Sequence, residues 1–254
     1  MSDEVLVEED GGIAVITINR PKAKNAVNGA VARGIADALD ELDARKDVSV
    51  YILTGAGGTF CAGMDLKGFL TGDSPSVEGR GFGGLTERTP AKPVIAAIEG
   101  YALAGGFELA LGCDLLVAAS DAKFGLPEVT RGLVAGAGGV LRLQRRIPYH
   151  AAMELALTGA HYPATKLAEY GLLSAVTEPG GALAGAKELG ARLAKNAPLA
   201  LAATKRIIIE STDWSLDDMW AKQGEIISPI FGSKDAVEGA TAFAEKRPPV
   251  WKGE

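Results

Sequence analysis

The chain has 254 residues, 47% of them hydrophobic, enough to bury a sizeable core and to exclude a disordered or fibrous protein. Its formal net charge of -6 offers no basic field for nucleic acid or an anionic membrane surface, so a phosphate-bearing ligand would need a local basic cluster. Cys61 and Cys113 form no Cys-x-x-Cys and have only His150 and His161 to help them, which points away from a metal site or disulfide framework and toward a reduced, cytoplasmic setting. The acidic start MSDEVLVEED lacks the basic and apolar regions of a secretory signal, and no apolar run reaches membrane-spanning length.

In chain order, VLVEEDGGIAVITINRP predicts two strands around the turn Asp10-Gly11-Gly12, closed by Pro21. A helix follows, with Asn28 as its N-cap and Val31, Ile35, Ala38, Leu39 and Leu42 on one buried face. The runs 48–55, 93–100 and 114–120 are short, apolar and rich in β-branched residues, as strands covered on both faces are; 173–179 is a further candidate. With helical patterns between them, these runs predict an α/β protein of successive strand-turn-helix units with parallel strands. Residues 67–89 are rich in Gly and Ser and carry no periodicity, which predicts a mobile loop beside a site. From residue 182 onward the pattern is helical, able to pack on its own core or on a neighbouring subunit.

The chemistry-bearing residues sit at strand ends. Glu108 follows Gly105-Gly106 at the start of the helix FELALGC, where dipole complementarity alone contributes about 0.3–1 kcal/mol and accounts for a lone acid. Its neighbours are small and apolar, so the carboxylate is expected to face a lined cavity, with glycines that let a ligand approach the helix N-terminus. Glu128 lies behind Pro127 on the next strand-to-helix connection, and such connections gather at one end of a parallel sheet. Two carboxylates on one cavity can divide acid and base roles. In GGTFCAGMDLKG, Gly63 and Met64 could add a backbone N–H. There is no P-loop, no His-Glu-x-x-His, no Gly-x-Ser-x-Gly, and VAGAGGVLRL fails the dinucleotide spacing because position 141 is Leu. Carboxylates and oxyanion donors without a nucleophile suit proton transfer beside an activated carbonyl.

Five ordered blocks, NRPKAKNAV (19–27), FCAGMDL (60–66), AAIEGYALAGGFELALGCD (96–114), AKFGLPEVTRGLVAGAGG (122–139) and AFAEKRPPVWKG (242–253), resemble the crotonase, or enoyl-CoA hydratase/isomerase, superfamily. The resemblance implies a crotonase-like spiral of ββα units over residues 1–195 and a C-terminal helical oligomerisation region, 196–254, that builds a homotrimer or a dimer of trimers. It implies an acyl-CoA thioester substrate, with no metal and no cofactor other than the coenzyme A carried by the substrate. The matching positions place the thioester oxygen between the N–H groups of Met64 and Gly105 and make Glu108 and Glu128 the catalytic pair, with Glu108 activating water for Cβ and Glu128 protonating Cα. They place Lys24 near the CoA phosphates, Ala62, Gly63, Asp65, Leu66, Lys67 and Gly106 along the substrate path, and Phe243 and Lys246 at the adenine end, often on an adjacent subunit. Retention of both glutamates favours an enoyl-CoA hydratase over an isomerase. The combination GGFELAL, GGVLRL and FAEKRPPVWKG is most similar to the carnitinyl-CoA dehydratase branch. Met64, Ala104 and Ala135 depart from commoner residues and bear on the acyl pocket. A noncatalytic acyl-CoA-binding scaffold is the alternative from another class.

Overall fold

In the computed structural model, which describes residues 3–254, strands β1 (Val5–Asp10) and β2 (Ile13–Ile18) pair antiparallel through a two-residue turn. Gly11 and Gly12 both have positive φ, 57° and 82°, as a turn matched to the right-handed strand twist requires. Helix α1 (Gly29–Asp43) starts where Asn28 Oδ1 accepts from the Val31 N–H at 2.9 Å and buries Val31, Ile35, Leu39 and Leu42.

Three successive units then follow one plan: a long strand enters a large sheet, a sharp turn leads to a short strand in a second sheet, and a helical segment returns. In the first, β3 (Val50–Gly55) leads to a bridge at Cys61 and then to α2 (Leu66–Leu70). The second runs β6 (Val94–Ile98), β7 (Tyr101–Leu103), α3 (Gly105–Gly112). In the third, β8 (Leu115–Ala119) and β9 (Lys123–Gly125) lead to a 3-10 turn, Pro127–Arg131, and α4 (Gly139–Arg146). Between the first and second units the short hairpin β4 (Ser76–Val77) and β5 (Gly81–Phe82) is inserted. Helix α5 (Tyr149–Thr158), β10 (Tyr162–Pro163), α6 (Ala164–Glu169), β11 (Ala175–Thr177) and α7 (Ala182–Ala194) complete the layers.

The large sheet has the order β1-β2-β3-β6-β8-β11, parallel from β2 onward; the small one has the order β10-β9-β7, with β7 and β9 parallel. Side-chain alternation splits the large sheet's faces. Ile13, Val15, Val50, Ile52, Ile95, Ala97 and Val117 pack on Ala186 of α7, while Ile16, Ile18, Leu53, Ala96 and Ile98 join the core that includes α1 and α3. The runs read as doubly covered strands are therefore covered by helices on both sides. Strands β7, β9 and β10 are only two or three residues long, too short for periodicity to reveal them.

The segment expected to be a mobile loop is structured. Arg80 through Thr86 are buried, and the Arg80 guanidinium pairs with Asp40 of α1. Gly83 and Gly84 abut Leu109 of α3 and Ala32 and Ala36 of α1, contacts that leave no repeating pattern in the sequence.

Helices α8 (Pro198–Glu210), α9 (Met219–Phe231) and α10 (Lys234–Glu245) follow. Lys205 ties α8 to the core by an ion pair of 2.6 Å to Asp114 and a 2.7 Å hydrogen bond to the Lys92 carbonyl. Unlike α1, α8 buries no residue fully, and Trp220, Phe231 and Phe243 on the helices beyond it stand exposed. Among the described residues no helix is long and apolar enough to cross a membrane.

Candidate active site

A cavity of about 610 Å³ opens where the short strands end. Strands β7 and β9 are adjacent and parallel, in register at Leu103 and Gly125, so the chain emerging from each reaches the same space. Glu108 arrives on the first turn of α3 and Glu128 on the 3-10 turn behind Pro127. Both line the cavity. The strand ends that gather them belong to the small sheet rather than the large one.

Glu108 is 3% exposed, a position an unpartnered carboxylate could not hold cheaply. Its Oε1 accepts from the Ala137 N–H at 2.7 Å and the Gly139 N–H at 2.8 Å, where α4 begins. A Cβ on residue 139 would lie 2.8 Å from Glu108 Cγ, so glycine there lets the two helix starts meet. Burial pushes the Glu108 pKa above the ordinary carboxylate range, against the pull of those two N–H groups and of Arg142. Glu128 is half-buried, and its Oε2 is buried with no hydrogen-bond partner among the described residues. Burial raises its pKa as well, and the charge of Glu108 adds to the rise while Arg131 opposes it. Two carboxylates held toward their protonated forms in one cavity are equipped to exchange protons with a bound molecule.

Across from them, the stretch carrying Cys61 and Met64 runs beside β7 through a parallel bridge from Cys61 to Ala102. Val27 N–H donates to Gly63 O and Asp65 N–H to Val27 O, but among the described residues the N–H groups of Met64 and Gly105 have no acceptor. Met64 and Gly105 both line the cavity. Ala104, the residue before Gly105, has φ 51° and ψ -130°, a conformation costly for a residue with a Cβ.

Of the residues expected from the sequence, the structure brings Ala62, Met64, Leu66, Gly105, Glu108 and Glu128 to the cavity wall. The others lie outside that lining. Gly63 is wedged against Ala104, and a Cβ on residue 106 would strike the Cys61 carbonyl at 2.1 Å. Asp65 caps α2 through the N–H groups of Lys67 and Gly68 and pairs with Arg20 at 2.9 Å, an ion pair that lowers its pKa. Lys67 is exposed, and Lys24 Nζ stands 5.3 Å from the Tyr101 ring centre. Phe243, 87% exposed, and Lys246, at the end of α10, lie on the helical tail.

Sequence reading missed the groups that seat Glu108. Ala137 and Gly139 belong to the stretch discounted as a dinucleotide fingerprint, and its glycines instead open the start of α4 toward a carboxylate. It also missed Phe69, Phe82, Glu87, Arg131 and His161 on the wall, for which no local signal exists. A second cavity, about 350 Å³ between α8, α9 and α10, is apolar; its one acid, Asp235, is spent on the N–H groups of Lys252 and Gly253. Among the described residues no group of three or more His, Cys, Asp or Glu could hold a metal ion.

The model of the enoyl-CoA hydratase/isomerase family matches residues 8–254. Carnitinyl-CoA dehydratase of Salmonella arizonae is 39% identical over 261 aligned residues, covering 100% of both chains. The crystal structure of enoyl-CoA hydratase EchA1 from Mycobacterium marinum is 62% identical, with a TM-score of 0.98 and 100% of both chains covered. Carnitinyl-CoA hydratase from Mycobacterium avium is 41% identical over 100% of both chains, with a TM-score of 0.79.

Proposed function

The chain belongs to the enoyl-CoA hydratase/isomerase family, and from that premise we propose that it catalyses the reversible syn hydration of trans-2-enoyl-CoA thioesters to 3-hydroxyacyl-CoA. The observation that carries this reading is the presence of Glu108 and Glu128 in one cavity with the unengaged N–H groups of Met64 and Gly105. The two N–H groups hold the thioester oxygen and stabilise the negative charge that develops on it as Cα gains electron density. Glu108, whose Oε1 is fixed by two N–H groups, uses its other carboxylate oxygen to orient water and take a proton from it for bond formation at Cβ. The π pair moves to Cα, which takes a proton from Glu128. Water thus supplies the hydroxyl, and its remaining proton restores the carboxyl inventory of the pair. No further cofactor is needed for this addition.

The coenzyme A portion follows Ala62 and Leu66 out of the cavity, with Gly63 and Gly106 shaping the backbone and Asp65 and Lys67 bordering the path. Lys24 meets the phosphates. Phe243 and Lys246 meet the adenine end from a neighbouring subunit, in a homotrimer or dimer of trimers built by residues 196–254. The exposed apolar side chains of that region support this assembly, since water-facing groups such as Phe231 gain by covering. A cytoplasmic enzyme of fatty-acid β-oxidation is the setting that fits the reaction.

A second reading has its own observation. Glu87, with Phe69 and Phe82, lines the cavity beside the reacting pair, and a carboxylate with aromatic faces suits a cationic acyl tail. That favours the carnitinyl-CoA dehydratase reaction, the same hydration run on a trimethylammonium-bearing chain. The test is loss of enoyl-thioester absorbance across trans-2-enoyl-CoAs of graded length and crotonobetainyl-CoA, with Glu128→Gln as control. Turnover abolished in the control supports hydration and ranks the substrates. Binding without turnover would instead support an isomerase, assayed with 3-enoyl-CoA, or a noncatalytic binder.

A further inference from the structure

We propose that Arg142 is a positioning residue that holds Glu108 in its working geometry by clamping the start of α4 to the buried segment 80–86; this rests on the hydratase reading above. Among the described residues Glu108 is seated by the Ala137 and Gly139 N–H groups, so whatever fixes that bend fixes the carboxylate. Arg142 does so from behind. Its Nη1 donates to the Ala137 carbonyl at 3.3 Å and its Nη2 to the Thr86 carbonyl, while its own N–H donates to Gly138 O at 3.0 Å. Ala137 lines the cavity, and Thr86 is buried beside the lining residue Glu87. Thr86 ends the buried segment that carries Phe82, whose ring lies 2.6 Å from where a Cβ on Gly105 would stand, and the lining residue Glu87 follows it. One guanidinium therefore spans the seat of the base and the wall next to the oxyanion donors.

Several features of α4 make an incidental arginine a poor explanation. A cation near a helix N-terminus opposes the helix dipole. Helix α4 leaves Leu141 69% exposed while Arg142 is half-buried, the reverse of ordinary partitioning. Burial lowers the Arg142 pKa, and the charge of Glu108 raises it. A planar fork reaching two carbonyls is also a task that lysine, a point charge, performs poorly.

The groups facing Glu108 are Arg142 from α4 and Glu128 from the 3-10 turn; Glu87, Arg131 and His161 share the cavity, and Arg146 and the Cys113 thiol flank the guanidinium. Removing the cation removes a charge that draws Glu108 toward its ionised form. Carboxyl 13C NMR of the substrate-free protein reads this directly, with the Glu108 resonance assigned from Glu108→Gln. In Arg142→Gln the Glu108 midpoint is expected to move up. With crotonyl-CoA, kcat is expected to fall by about 10²-fold, as for a misplaced catalytic group, with KM little changed and the acid limb of the pH profile moved to higher pH. Arg142→Lys, which keeps the charge and loses the fork, is expected to keep the midpoint and still lose kcat.

An unmoved Glu108 midpoint in Arg142→Gln, or wild-type kcat in Arg142→Lys, overturns the proposal. If Arg142→Gln does not fold, the kcat of Arg142→Lys decides. A wild-type protein that shows no hydration overturns the functional reading instead, and the NMR midpoint still decides the role of Arg142.

Discussion

The chain turns into the cavity after β7 and again after β9, and the two turns hold their glutamates by different means. After β7, Glu108 rides on a helix, is nearly inaccessible, and gives one oxygen to two N–H groups. After β9, Glu128 rides on a single 3-10 turn, is half-buried, and keeps a buried oxygen without a partner among the described residues. A carboxylate fixed on one side suits the orientation of a water. A carboxylate with an open oxygen suits the passing of a proton, because it can turn without breaking a bond.

The strongest way to break this comparison is to neutralise each acid in turn. Glu108→Gln and Glu128→Gln are each expected to lower kcat on crotonyl-CoA by about 10²- to 10⁴-fold, measured by loss of enoyl-thioester absorbance. Full activity in either variant removes that residue from the mechanism.

A smaller effect tests the fixed seat alone. In Gly139→Ala the new methyl meets Glu108 Cγ at 2.8 Å, so the carboxylate or the helix start must shift. Activity is expected to fall by about 10²-fold with thioester binding retained. A variant as active as the wild type would show that the seat tolerates displacement.

Stability probes the site after β9 next. The raised folded-state pKa of Glu128 means that the native protein favours its protonated form. The contribution to stability is therefore fully present below the ordinary glutamate pKa, about 4.3, and is lost as pH rises through the higher folded value. Glu128→Gln is expected to melt above the wild type at pH 7, and the difference is expected to vanish in acid. An equal difference at both pH values would mean that burial of the charge is not its source.

The smallest change concerns the turn before α3. Ala104→Gly relieves the strained φ of 51° and adds unfolded-state entropy, for a net gain of about 0.5–1 kcal/mol. Thermal unfolding reads it. Activity is expected to stay unchanged, because the Gly105 N–H is a backbone group; a loss of activity would show that Ala104 strain shapes the oxyanion site.

Much of the fold was legible locally. Asn28 and the spacing of Val31, Ile35 and Leu39 set out α1, and β-branched runs marked β3, β6 and β8. Glu108 stood out because an acid among small apolar residues violates the ordinary partition of charge to water, and Glu128 because it lies on the next strand-to-helix connection. The segment 67–89 misled because its core contacts, Arg80, Phe82, Gly83, Gly84 and Leu85, fall in one short run with no repeat to detect.

By itself, then, the sequence determined the long elements, the family and the identity of the two acids, since each depends on neighbours close in the chain or on ordered blocks. Only the tertiary structure decided what seats them. Glu108 takes its partners from Ala137 and Gly139, and Arg142 takes its own from Thr86, through backbone groups that every residue carries and no sequence pattern distinguishes. Which N–H meets which carboxylate is set by where the short strands end, and that depends on the closing of the whole spiral.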